Sequence, residues 1–239
     1  HQCHQAFYRP DNMVLVVIGD LEPERVFERA GLMEAHKGGR PPAMPLPVPT
    51  ASDKVQSHSH RRSMHLSRPI CLFGVKDRAV GLSGADLLKR QVEMDILLDA
   101  LFGKSSPFYW QLYSRNLISD DFFSDYLALP SFAYTCVGGE SLEPDRLVEA
   151  IRAEIRRTAE QGLDSETIER LKRKTLGEFI SSFNSSDGLS FALSSSLLTD
   201  TRYEDIPAIL EQVNARSLHE RLLEQLHPDN TAVAVIEPR

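Results

Sequence analysis

The chain has 239 residues, with 27 Lys and Arg against 34 Asp and Glu, giving a formal charge of −7. Acidic and basic residues are interspersed, so the sequence offers no basic face for a nucleic-acid backbone. No apolar run approaches the roughly 20 residues that a membrane-crossing helix needs, so neither nucleic acid nor membrane is an expected partner.

Taken in chain order, residues 7–24 (FYRPDNMVLVVIGDLEPE) carry the first clear pattern. Residues 13–19 are a continuous apolar run rich in β-branched side chains and bounded by turn formers, the pattern of a buried central strand. Such a strand needs neighbours on both edges. They are expected upstream of His1, so this segment reads as the end of a domain that begins earlier. Glu22, Pro23 and Glu24 open a helix, with Pro in the first turn and acids at the positive dipole end, and the helix is expected to stop near Gly31. Residues 37–53 (KGGRPPAMPLPVPTASD) hold five prolines and read as an extended, semi-rigid linker.

Beyond the linker, residues 55–66 alternate weakly and suggest an edge strand, and residues 70–75 a buried one. Residues 84–102 place Leu87, Leu88, Val92, Ile96, Leu97, Ala100 and Leu101 on one broad helical stripe. A second helix is predicted over 105–115, with Ser105 or Ser106 as N-cap and Pro107 in its first turn. Residues 122–129 and 132–137 alternate as an antiparallel hairpin around Pro130-Ser131. A helix from Glu143 ends at Gly162, and another runs over 165–183 from a cap at Asp164 or Ser165. Short helices follow from Asp205 and Ser217, and residues 231–236 form a closing strand. Hairpins and runs of helices without βαβ alternation indicate an α+β fold, an antiparallel sheet covered by helices on one face. The expected division is a remnant of a first α+β domain at 1–36, a linker at 37–54 and a second domain at 55–239.

Little here looks like a self-sufficient reaction centre. Cys3, Cys71 and Cys136 are few and far apart, and the last two sit in strand-like runs, so they read as small buried residues of a protein in a reducing compartment, with a cytoplasmic location expected. His1 and His4 have ligand chemistry at close spacing but no base and no third ligand. His58 and His60, next to Arg61 and Arg62, read as a solvated strand edge. The serines at 185–186 and 194–196 have no base nearby and read as caps and small-residue packing. Gly138-Gly139 reads as a turn, because Glu140, Glu143 and Asp145 beside it would repel phosphate. The cluster Phe108, Tyr109, Trp110 and Tyr113 follows a Gly-Ser loop and suits either a core or a peptide-binding wall.

The order of these features, FY.P.NM before a Val-rich strand and Gly-Asp, then PICLFGVK at 69–76, GKSSPFY at 103–109, LISD at 117–120, VGG at 137–139 and FNS at 183–185, resembles the pitrilysin/insulinase/processing-peptidase family of zinc metallopeptidases. The resemblance implies a half-chamber fold. It also implies zinc held by two His of an HxxEH helix motif and a distant Glu, with the motif's own Glu activating water. None of the eight His residues starts HxxEH, so no catalytic or metal-ligating residue and no cofactor is assigned to this chain; zinc is expected in a parent protein. The family also uses an Arg and a Tyr from the half without zinc to hold the substrate backbone. Tyr113 stands at the Arg position and Ser119 at the Tyr position, a double departure. Tyr109, Tyr113 and Ser119 are therefore the substrate-chamber candidates. The implied role is a non-catalytic C-terminal part of a zinc metalloendopeptidase, with a peptide as partner and a homo- or heterodimer with another family half as the assembly. The alternative is an inactive homologue serving as an interaction subunit.

Overall fold

The computed structural model describes residues 2–8, 12–35 and 54–239. After helix α1 (Gln2–Phe7), residues 13–18 form neither helix nor strand. Met13, Leu15 and Val17 are exposed, while Val14, Val16 and Ile18 are half-buried. The buried central strand expected here is thus not observed. A β-branched run selects extended backbone by itself, but burial requires paired neighbours on both edges. Helix α2 (Pro23–Ala35) continues past the expected stop at Gly31, since a helical Gly weakens a helix by about 1 kcal/mol without ending it. The proline-rich linker lies outside the described residues.

Five strands, β1 (Ser59–Met64), β2 (Ile70–Lys76), β3 (Phe123–Leu129), β4 (Phe132–Glu140) and β5 (Thr231–Pro238), form one sheet in the order β1-β5-β2-β4-β3. The β2–β4, β2–β5 and β3–β4 pairs are antiparallel, as the hairpin pattern predicts. The β1–β5 pair is parallel and makes the sheet mixed. Parallel pairing needs a long crossover, and here nearly the whole domain lies between the two strands. Gly138 and Gly139, expected to form a turn, instead lie inside β4 opposite Leu72 and Cys71.

One face of the sheet is packed. Cys71, Phe73 and Val75 of β2, Ala133 and Val137 of β4, Tyr126 and Ala128 of β3 and Val235 of β5 are all buried beneath helices. Helix α3 (Gly84–Phe102) crosses β3 and supplies Leu87, Met94, Ile96, Leu97 and Leu101 to the core. Helix α4 (Pro107–Tyr113) starts at Ser106, whose Oγ accepts the Tyr109 amide at 3.1 Å. Helix α5 (Pro144–Gln161) lies over β2, and α6 (Ser165–Ser182) packs on α3 through its buried Ile168 and Leu171, capped by Asp164.

Helix α7 (Ser186–Thr199) has no counterpart in the sequence reading. Its Ser, Thr and Asp residues are scattered around the helix among Leu, Phe and Ala, with Asp187 the single charge, so it shows no amphipathic period. Ser185 does cap it, accepting the Gly188 amide at 3.1 Å. Helices α8 (Ile206–Gln212) and α9 (Ala215–Gln225) complete the layer, and Asn214 and Ser217 form a reciprocal cap on α9.

Candidate functional site

Strand pairing decides which side chains share the uncovered face, because directly paired residues point the same way. Opposite the packed face, one row runs His60, Ala234, Leu72, Gly138 and Phe123, and the next runs Ala232, Gly74, Cys136 and Asp125. The middle of this face is built from small residues. Toward the β3 side stand Phe123, Leu127, Phe132 and Tyr134, between 37% and 43% exposed, with the Phe132 and Tyr134 rings stacked at 6.3 Å. The result is a face, called the trough below, of mostly small side chains around Leu72 beside an apolar, aromatic bank.

At one end of the trough, Glu140 lies in register with Ile70, and beyond it opens a cavity of about 400 Å³. Its lining comes from four separate segments: Arg68 before β2, Tyr113 and Asn116 at the end of α4, Ile118 to Asp120 before β3, and Glu140 to Leu142 after β4. Tyr113 and Ser119 therefore come together in one cavity. Tyr109, the third candidate, is only 4% exposed and lies behind it, its ring stacked on Tyr113 at 5.7 Å and 12°. The aromatic cluster divides accordingly: Phe108 and Tyr109 belong to the core, while Tyr113 and the more exposed Trp110 face outward.

Asn116 takes a left-handed φ of 54°, the turn that brings the loop back under Tyr113. Asp121 braces that loop by accepting the Ser119 hydroxyl and, at 2.9 Å, the Glu140 amide. The charge of Asp120 and a hydrogen bond to it push the Tyr113 phenol above its ordinary pKa. Sequence reasoning does not single out Arg68 or Asp120, and it takes Glu140 only as a charge that would repel phosphate; their segments are separated in the chain and meet only in the fold.

A second groove, of about 470 Å³, follows the outer edge of β3 between α3 and α6 and is lined by Asp95, Asp99, Asp125, Lys174 and Glu178 among others. Asp95 is accessible by area, yet the groove walls crowd its carboxyl. Desolvation and then the Asp125 and Glu178 charges push it up to about 7. The outer edge of β3 has no strand neighbour among the described residues.

The histidine readings can be placed as well. His4 is exposed on α1 and stacks on Tyr8 at 4.8 Å. His58 meets the Thr231 carbonyl at 2.9 Å, and His60 stands exposed on edge strand β1. Cys71 is buried and Cys136 half-buried, both as free thiols. Burial pushes the Cys71 thiol up to about 11, so it is inert at neutral pH. Among the described residues no three His, Cys, Asp or Glu converge to hold a metal, and no helix is long and apolar enough to cross a membrane.

The donor set for a catalytic zinc is therefore not met by the described residues. We expect purified, dialysed chain to carry far less than one zinc per molecule by elemental analysis; one tightly held zinc per chain would overturn that assignment.

The family described as Peptidase M16 inactive domain matches residues 1–175, and the chain belongs to that family. It is 29% identical over 243 residues to the zinc protease YmfH of Bacillus subtilis, aligning 100% of this chain with 56% of that protein. It is 24% identical to the zinc protease PqqE of Helicobacter pylori, over 78% of this chain and 42% of that one. Among solved structures, an M16-like peptidase from Alicyclobacillus acidocaldarius is similar with a TM-score of 0.90 at 30% identity, over 100% of this chain and 57% of that chain. A protease from Helicobacter pylori shares the fold with a TM-score of 0.87 at 19% identity, over 99% of this chain and 57% of that chain. The chain thus spans a little over half the length of YmfH and of these two solved relatives.

Proposed function

We propose that this chain is the non-catalytic C-terminal part of an insulinase-like zinc metalloendopeptidase and forms one wall of a chamber that holds an extended peptide. The observation that carries the reading is the uncovered sheet face. Apolar aromatic side chains are left in solvent beside a sheet centre that, apart from Leu72, is Gly, Ala and Cys, so a strand-like ligand can lie close to the backbone. The outer edge of β3, without a strand neighbour among the described residues, gives such a ligand backbone groups to pair with. The zinc, its ligands and the general base belong to another part of the parent or to a partner half, in a homo- or heterodimer. The three free thiols suit a cytoplasmic setting.

Binding of a fluorescent ten-residue extended peptide, followed by anisotropy, tests this. Phe123→Asp and Leu127→Asp should each weaken binding about tenfold, since each removes roughly 50 Å² of apolar contact at about 25 cal/mol per Å². Arg216→Ala, on exposed α9, should leave affinity unchanged. Equal affinities across all three variants would reject the trough as the binding surface.

A second reading is an inactive homologue working as the interaction subunit of a heterodimer. Tyr113 and Ser119, where the resembled family has Arg and Tyr, favour it. On that reading the Phe123 and Leu127 variants would abolish partner binding by light scattering, and free peptides would not compete.

A further inference from the structure

Among its described lining residues, the cavity beyond Glu140 carries more carboxylate than cation. Asp120 and Glu140 line it, and Asp121 lies immediately behind as the brace of the loop. Among the described lining residues Arg68 is the sole cation, and it reaches Glu140 only at 3.9 Å, with both side chains largely in solvent. A contact that long and that exposed compensates little.

Beside the carboxylates stands the Tyr113 ring, held from behind by buried Tyr109 and edge-on by Trp110 at 5.9 Å. Across the mouth Leu142 is 62% exposed. An aromatic face, an apolar rim and an excess of carboxylate suit a long side chain with an aliphatic stem and a cationic head. An anionic or purely apolar group would meet the same carboxylates without compensation.

We propose that this cavity is a specificity subsite for a Lys or Arg side chain of the bound peptide, with the stem against Tyr113 and Leu142 and the head at Asp120 and Glu140. The proposal rests on the peptide-binding reading above and gives it a preference. The trough supplies contact that any extended chain can make, and the cavity at its end selects one residue type. The raised phenol of Tyr113 agrees with the excess negative charge.

The test uses the 239-residue chain and three labelled peptides identical except for Lys, norleucine or Glu at one position. The Lys peptide should bind about five- to tenfold tighter than the norleucine peptide, and the Glu peptide weakest. Asp120→Asn together with Glu140→Gln should erase the Lys preference over norleucine, and so should high salt. Equal affinity for Lys and norleucine in the native chain, or a preference that survives the double variant, overturns the proposal.

A probe of the cavity alone separates this from the chamber reading. N-acetyl-lysine methylamide should shift the amide signals of Asn116, Ser119 and Ser141, and the norleucine analogue should not. Shifts with the lysine probe but no binding of any long peptide would keep the subsite and reject the chamber wall. No shift with either probe would reject the subsite even if long peptides bind the trough.

Discussion

Replacing Gly138 by Ala should cost about 3 kcal/mol or more and lower the melting temperature by roughly 6–12 °C for a domain of this size. A Cβ at this position would lie 2.0 Å from the Cys71 carbonyl oxygen and 3.0 Å from the Leu72 Cα. Both are backbone atoms of the central strand β2, which is locked between β4 and β5, so neither can swing aside as a side chain could. Gly139 next to it would meet the Phe122 Cα at 2.9 Å. The two glycines together let β4 approach β2 and the segment before β3. Gly177, inside α6 with nothing within 4 Å of its missing Cβ, is the control: Gly177→Ala should stabilise by about 1 kcal/mol. Thermal unfolding followed by circular dichroism decides it, and a Gly138→Ala variant melting within about 2 °C of the parent would refute the close-approach argument.

That pair of glycines also shows what the sequence could and could not convey. Two adjacent glycines before an acidic helix start read as a turn because local chemistry favours one there; the register of β4 on β2, set by strands far apart in the chain, overrides it. The long helices were legible. Helix α3 coincides with the apolar stripe at 84–102, and α6 with the capped run that begins at Asp164, because both the period and the caps are local. Helix α7 was not, since its serines and apolar residues mix on every side and leave no period to detect. The parallel β1–β5 pair joins residues some 170 positions apart, such as Ser59 and Val233, and no local pattern encodes that. The same limit applies to the cavity. Tyr113 and Ser119 are six positions apart and were paired from the family resemblance, whereas Arg68, Glu140 and Leu142 reach them only through the sheet.

Breaking the buried ion pair of Asp77 and Arg90 should be still more damaging. Asp77 ends β2 one residue past Lys76, and its carboxylate accepts Arg90 Nη1 at 3.0 Å, the Tyr126 hydroxyl at 2.7 Å and the Ala79 amide at 2.8 Å. The side chains of Asp77 and Arg90 are 1% and 9% exposed, and the buried Arg90 Nε has no partner among the described residues. The arrangement is thus already one hydrogen bond short. Asp77→Ala strands a buried guanidinium, and Arg90→Met strands a buried carboxylate; each should cost about 3–5 kcal/mol. The double variant removes both charges and should cost clearly less than the sum, the coupling expected of residues in direct contact. Tyr126→Phe should cost about 1.5–3 kcal/mol, the value of a hydrogen bond to a charged acceptor.

The tyrosine also gives the pair a pH signature. Burial, followed by the hydrogen bond to Asp77 and its charge, raises the Tyr126 phenol well above its ordinary value. With the folded pKa above the unfolded one, the stabilisation is complete below about pH 10, where the unfolded chain keeps its proton, and is lost progressively as pH climbs above that toward the folded value. Tyr126→Phe should remove this alkaline slope while leaving the Asp77–Arg90 coupling in place. Urea unfolding of the four variants at pH 7, repeated at pH 10.5 for the parent and Tyr126→Phe, measures both effects. Strictly additive costs for Asp77→Ala and Arg90→Met, or identical alkaline slopes with and without the phenol, would mean that the two charges and the hydroxyl act independently rather than as one buried unit between β2, β3 and α3.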